Sequence, residues 1–186
     1  MAVSFDPDNE GAKHMLASVT ADATVKRASN TYVEELFEIY AENFEHSLVD
    51  ELKYDGFRRL REAFNNAFGG EEYVPNFALV VDAGCGTGLV GEQFRNISQS
   101  LIGIDLSQSI INESKKIRPG LYNDTQVGDL VDIFRERAPI SLIIAADSYI
   151  YFGDLDPLFE SMGASVEVGG YVAFTLENVS IESEQR

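Results

Sequence analysis

One short segment combines a carboxylate with three glycines in five positions: Asp82-Ala83-Gly84-Cys85-Gly86-Thr87-Gly88. Glycines let a backbone turn sharply and let a ligand approach with no Cβ in the way, and a helix starting just after such a turn offers amide donors. An ATP-type phosphate loop is excluded, because no lysine stands in the turn and no G-K-S or G-K-T follows. The dinucleotide fingerprint G-x-G-x-x-G fits poorly, because position 89 is leucine and the third glycine comes one residue early, at Gly88. Asp82, expected at a strand end and facing the loop, repels a pyrophosphate and suits a ligand that carries an ammonium or a sulfonium.

S-adenosylmethionine carries both groups. Asp105 stands 21 residues beyond Gly84, in Leu101-Ile-Gly-Ile-Asp105-Leu106-Ser107, where a carboxylate at a strand end can accept hydrogen bonds from both ribose hydroxyls. Dinucleotide enzymes place an acid there too, so a nicotinamide-dependent oxidoreductase stays open as an alternative, and capping a helix near Ser107 is the plainer role. In Gly128-Asp129-Leu130, Asp129 can take a hydrogen bond from an adenine amine or cap the next helix, while Leu130 packs on the ring. Asp147, which ends an apolar run, is expected to face the same cleft, and the aromatics from Tyr149 onward divide between pocket wall and core. Asp147, Tyr149 and His46 are the weak catalytic candidates. Cys85, with no histidine in its half of the chain to activate it, is read as a small side chain and not as a nucleophile.

These residues need elements to position them. The chain has 186 residues, 45% hydrophobic and 24% charged, enough for one core and one domain. Over residues 30–68 apolar side chains recur at spacings of three and four, predicting amphipathic helices capped at Asn30 or Thr31 and ended by Gly69 and Gly70. A further short helix is expected around 11–19. After Pro75, short apolar runs at 77–81, 101–104, 125–127, 140–145 and 171–176 alternate with helical stretches at 89–94, 108–117, 130–137 and 155–166. The expectation is an α/β Rossmann-like three-layer sandwich with a mostly parallel sheet over 75–186 and a helical N-terminal cap over 1–74.

The net charge of −17 disfavours nucleic acid and membrane surfaces, and Arg58, Arg59 and Arg61 read as a solvated helix face. No apolar run approaches a membrane span, and one cysteine with two distant histidines leaves neither a disulfide nor zinc-ligand spacing. The expected setting is cytoplasmic, with no metal.

The ordered set Asp82-Ala-Gly-Cys-Gly-Thr-Gly88, Gly103-Ile-Asp105-Leu-Ser107, Gly128-Asp129-Leu130 and Val168-Gly-Gly-Tyr-Val-Ala-Phe174 resembles class I S-adenosylmethionine-dependent methyltransferases, over about residues 77–177. Tyr32-Val-Glu-Glu-Leu-Phe37, Tyr40-Ala-Glu-Asn-Phe44 and Leu52-Lys-Tyr54 are similar to the cap of methyltransferases found downstream of tetratricopeptide repeats, although no repeat array is present here. The resemblance implies that Asp82, Gly84, Cys85, Gly86 and Gly88 surround the methionine part of S-adenosylmethionine, and that Asp105 and Leu106 take the ribose and adenine. Gly128, Asp129 and Leu130 would take the adenine, Asp147 would lie near the transferred methyl, and Tyr40 and Phe44 would close over the cofactor. It implies transfer to a small-molecule acceptor with S-adenosylhomocysteine as product. A seven-stranded sheet is usual in that family, yet nine residues follow Glu177, so strands six and seven are expected to be missing. An uncovered edge then invites self-association, and loss of turnover would leave a cofactor-binding interaction module as a further alternative.

Overall fold

In a computed structural model, residues 27–41, 44–70, 75–137 and 139–176 are described, together with residues 9, 11–13, 16 and 20; for Ile39 and Tyr40 this covers the backbone alone. The expected first helix is described at 11–13, 16 and 20, all helical, and the rest of it lies outside the described residues. The elements that follow are α1 (Asn30–Tyr40), a π-helical stretch (His46–Glu51), α2 (Gly56–Ala67), β1 (Phe77–Ala83), α3 (Leu89–Phe94) and β2 (Ser98–Asp105). Then come α4 (Gln108–Ile117), β3 (Asp124–Val127), α5 (Leu130–Glu136), β4 (Ile140–Ala145), α6 (Asp156–Ser165) and β5 (Val166–Phe174).

All five strands are parallel, in the order β3-β2-β1-β4-β5. Alternation along the central strands builds two cores. Val81 and Ala83 with Ile102, Ile104, Ile143 and Ala145 pack against Phe134 of α5 and Leu158 and Met162 of α6. Val80, Leu101, Leu142 and Ile144 face the other way, onto Val90 and Phe94 of α3 and onto Phe57, Leu60 and Phe64 of α2. Thus α2, expected as part of an added cap, forms one layer of the sandwich, because its apolar face has the sheet to bury against. Among the described residues no helix is long and apolar enough to cross a membrane.

Three details depart from expectation. The cap of α1 is Ser29, one residue earlier than predicted; its hydroxyl accepts from the Tyr32 amide. The segment between Phe44 and Phe57, where the three-and-four spacing lapses, forms the π-helical stretch and then a turn with Lys53 at φ 56°. And β5 begins at Val166, directly after α6: while β4 advances from Ile140 to Leu142, β5 advances from Val166 to Tyr171, a bulge that accommodates Gly169 and Gly170. The arginines of α2 are partly structural. Arg59 pairs with Asp55 at 2.6 Å, while Arg61 donates to the Gln93 carbonyl at 2.5 Å and ties α2 to α3.

Candidate active site

The carboxyl ends of β1 to β4 converge. After Ala83 the chain turns through Gly84 (φ 72°), Gly86 (51°) and Gly88 (99°) into α3. At Gly84 a Cβ would lie 2.4 Å from Ser148 Cβ, so the turns after β1 and β4 touch there. The amides of this loop are used within the protein. Gly84 and Cys85 both donate to the Ile104 carbonyl at 2.9 Å, Gly88 to the Cys85 carbonyl at 2.9 Å, and Gly86 to Asp105 Oδ2 at 2.9 Å. The glycines therefore present a surface without side chains more than the row of free donors expected.

Asp105, at the tip of β2, joins two loops: besides Gly86 it accepts from the Ser107 amide at 3.0 Å. Helix capping at this point falls to Ser107, whose hydroxyl accepts from Ile110 N. Burial raises the Asp105 carboxyl above its ordinary value, opposed by the amides of Ser107, Gly86 and Leu106. Each carboxylate oxygen has a further lone pair for a ligand hydroxyl.

These tips floor a cavity of about 250 Å³, walled by Gly84, Cys85, Gly86, Asp105, Leu106, Gly128, Leu130 and Asp147, all anticipated in sequence. Phe37, Phe44, Leu48 and Tyr54 face them from the cap side, and Ile150, Tyr151 and Phe152 close the side next to β4. Tyr40 ends α1, but its side chain lies outside the described residues. The Cys85 thiol is buried, and that burial, followed by the charges of Asp105 and Asp82, pushes its pKa well up, which makes it a poor nucleophile.

Asp82, Gly88, Asp129, Tyr149 and His46 do not line this cavity. Asp82, expected to face the loop, points instead beneath it: it is fully buried and accepts from the Tyr122 hydroxyl at 2.6 Å, while its Oδ1 has no partner among the described residues. Strand alternation turns this side chain toward α3, where a Cβ on Gly91 would come within 2.8 Å of Asp82 Oδ2. Asp129 caps α5 through the Val131 amide and accepts from Arg27 at 2.7 Å and Asn30 at 2.8 Å. Burial raises its carboxyl, but bonds from Asn30, the Val131 amide and Arg27 bring it below the usual value. Tyr149 is a core residue, 2% exposed, with its hydroxyl against Met162 Sδ at 3.2 Å; the 3-10 turn that carries it aims this ring inward. His46 is exposed on the π-helical stretch and bonds Asp50 at 3.0 Å.

Sequence reasoning missed the contacts that fasten the cap across the cavity. Arg27 both bonds Asp129 and lies 4.3 Å over the Phe152 ring. Glu45 accepts from the Thr87 hydroxyl at 2.7 Å and pairs with Arg118, which also donates to the Thr87 carbonyl and to Glu92. No spacing announces a pair 73 positions apart.

The buried acid under the loop carries a testable consequence. Desolvation raises the Asp82 pKa to about 7, against the Tyr122 and Gly91 hydrogen bonds that lower it, with Asp105 adding to the rise. As pH climbs from about 4 to about 7 the unfolded chain releases this proton before the folded one does, so the contribution of Asp82 to stability is complete at low pH and declines through that window. Asp82→Asn removes that decline. The melting temperature of the variant minus that of the parent is expected to grow from about pH 4 to about pH 7 and then level off; a difference independent of pH would remove the assignment.

Residues 80–170 match the family described as a methyltransferase domain. No curated protein sequence matches the chain. Among solved structures, the DhpI–SAH complex superposes with a TM-score of 0.60 at 20% identity, covering 75% of this chain and 65% of that one. A phosphoethanolamine N-methyltransferase from Haemonchus contortus superposes with a TM-score of 0.63 at 15% identity, covering 82% of this chain and 32% of that one. An S-adenosylmethionine-dependent methyltransferase from Clostridium acetobutylicum gives 0.54 at 23% identity, covering 72% and 56%. The chain thus spans a third to two thirds of the length of these proteins. Over residues 80–170 the chain thus matches the methyltransferase-domain family, and it shares the Rossmann-like fold of these methyltransferase structures.

Proposed function

We propose that the protein binds S-adenosylmethionine in the cavity above β1 to β4 and transfers its methyl to a small-molecule acceptor, releasing S-adenosylhomocysteine. The observation that carries this is Asp105, held at the cavity wall by the amides of Gly86 and Ser107, beside a glycine turn that leaves room for a ligand. The donor set fits the cofactor: Asp105 accepts from ribose hydroxyls, Leu106 and Leu130 flank the base, and the turn at Gly84 and Gly86 admits the methionine part.

When bound, the cofactor supplies a methyl activated on a sulfonium. The protein's own work is alignment and exclusion of water. The aromatic side chains of the cap close over the floor, and the apolar wall keeps the reacting centres at short range in a poorly solvated space.

Asp105→Ala is expected to weaken S-adenosylmethionine binding by about 1 to 3 kcal/mol, roughly 5- to 150-fold in Kd, measured by calorimetry. Unchanged affinity would take Asp105 out of the site. Release of S-adenosylhomocysteine across a panel of acceptors tests transfer itself, and binding without release would favour the interaction module. Self-association is part of the same proposal, since β5 stands at the sheet edge with Val168, Tyr171 and Val172 exposed. A molar mass by light scattering that stays monomeric as concentration rises would remove it.

A further inference from the structure

The far wall of the cavity carries a group that cofactor binding at β1 to β3 does not use. The strand order β3-β2-β1-β4-β5 puts Asp147, just after β4, on the opposite flank of the Gly84 turn from Asp105 and Gly128. Its backbone has φ 53°, a conformation a non-glycine residue keeps only when neighbours enforce it. Thr175 enforces it twice: the Asp147 amide donates to the Thr175 hydroxyl at 2.9 Å, and that hydroxyl donates to Asp147 Oδ1 at 3.0 Å. Tyr54 faces the same carboxylate, and burial together with the charge of Asp147 raises its phenol, which keeps it a donor. Among the described residues no cationic side chain pairs with Asp147, whereas Asp129 and Glu45 each have an arginine. Around it Phe37 meets Phe44 edge-on at 5.8 Å and Tyr151 at 5.6 Å.

We propose that the methyl acceptor is an amine, its nitrogen held by the Asp147 carboxylate and its carbon skeleton against Phe37, Phe44 and Tyr151; this rests on the methyltransferase reading above. A carboxylate with aromatic faces beside it attracts cations and repels anionic acceptors. In the transfer the amine lone pair forms the new nitrogen–carbon bond while the carbon–sulfur bond breaks and its electron pair stays on sulfur. Positive charge thereby moves from sulfur to nitrogen, toward Asp147, so this contact strengthens as the reaction advances. The product leaves as the methylammonium or gives its proton to water at the mouth of the cavity. The amine arrives as an ammonium, so before transfer one proton passes to water at the mouth of the cavity, which frees the lone pair that attacks the methyl.

The test uses the full chain saturated with S-adenosylhomocysteine and three probes of one shape: 2-phenylethylamine, 2-phenylethanol and phenylacetate. The amine is expected to bind at least about ten-fold more tightly than either of the others, and with S-adenosylmethionine it should give the N-methyl product. Equal affinities, or a preference for alcohol or acid, would overturn the proposal. Asp147→Asn should bring the amine-to-alcohol ratio close to one, and an undiminished ratio would refute the role of the carboxylate. If Asp147→Asn loses S-adenosylhomocysteine instead, the carboxylate serves the cofactor's own ammonium: the amine proposal then fails while the methyltransferase reading stands. Failure of the parent chain to bind S-adenosylhomocysteine removes both.

Discussion

Gly84→Ala is expected to lower stability by about 2 to 4 kcal/mol, combining a left-handed backbone that costs a non-glycine residue about 1 to 2 kcal/mol with overpacking of similar size. The residue has φ 72° and the new methyl would meet Ser148 Cβ at 2.4 Å, so the turns after β1 and β4 must separate. Binding of S-adenosylmethionine should fall at least about 100-fold, because a displacement of the floor alters every contact above it. Thermal melting and calorimetry check both effects. Gly163→Ala is the control: it lies within α6, nothing stands within 4 Å of its added Cβ, and its φ is not positive. There the same change should be neutral or stabilising by up to about 1 kcal/mol. Parent-like melting and affinity in Gly84→Ala would refute the account of the turn.

Phe64→Ala should cost about 3 to 5 kcal/mol, the range for emptying a buried aromatic site. Its ring is 6% exposed and packs 5.2 Å from Phe94, 4.7 Å from Phe68 and 5.9 Å from Phe77, in the cluster that also contains Val80, Leu142 and Ile144 of the central strands. Both of those strands, β1 and β4, end at the cavity, so the damage should also weaken cofactor binding. Urea unfolding supplies the measurement, with a lower midpoint at an unchanged slope expected. A loss below about 1 kcal/mol would mean that α2 is the detachable cap that its sequence position implied, not a layer of the fold.

The parallel core was legible because each of its elements is marked locally. Helices at 89–94 and 108–117 and the strand at 140–145 agree with the observed bounds, since a fully apolar run such as Ile140–Ala145 can only be central, and Asp129 caps α5, one of the two roles expected of it. What failed depended on direction or distance. Asp82 and Asp105 both end strands, yet one goes under the loop and the other to its side, a choice set by pleat and by Tyr122, forty positions from Asp82. Tyr149 fell to the core because the phase of a three-residue turn is not written in its composition. Likewise the partners of Glu45 and Asp129 are fixed only once the cap lies across the sheet.

That placement has a kinetic side. Arg27 and Asn30 fasten one flank of the roof at Asp129, and Glu45 fastens the other at Thr87 and Arg118. Opening of either clasp widens the way out, so the dwell time of a guest molecule follows how often the roof loosens and need not track its affinity. Added salt, which loosens such charge contacts, should shorten that dwell, and stopped-flow release that ignores ionic strength would contradict it.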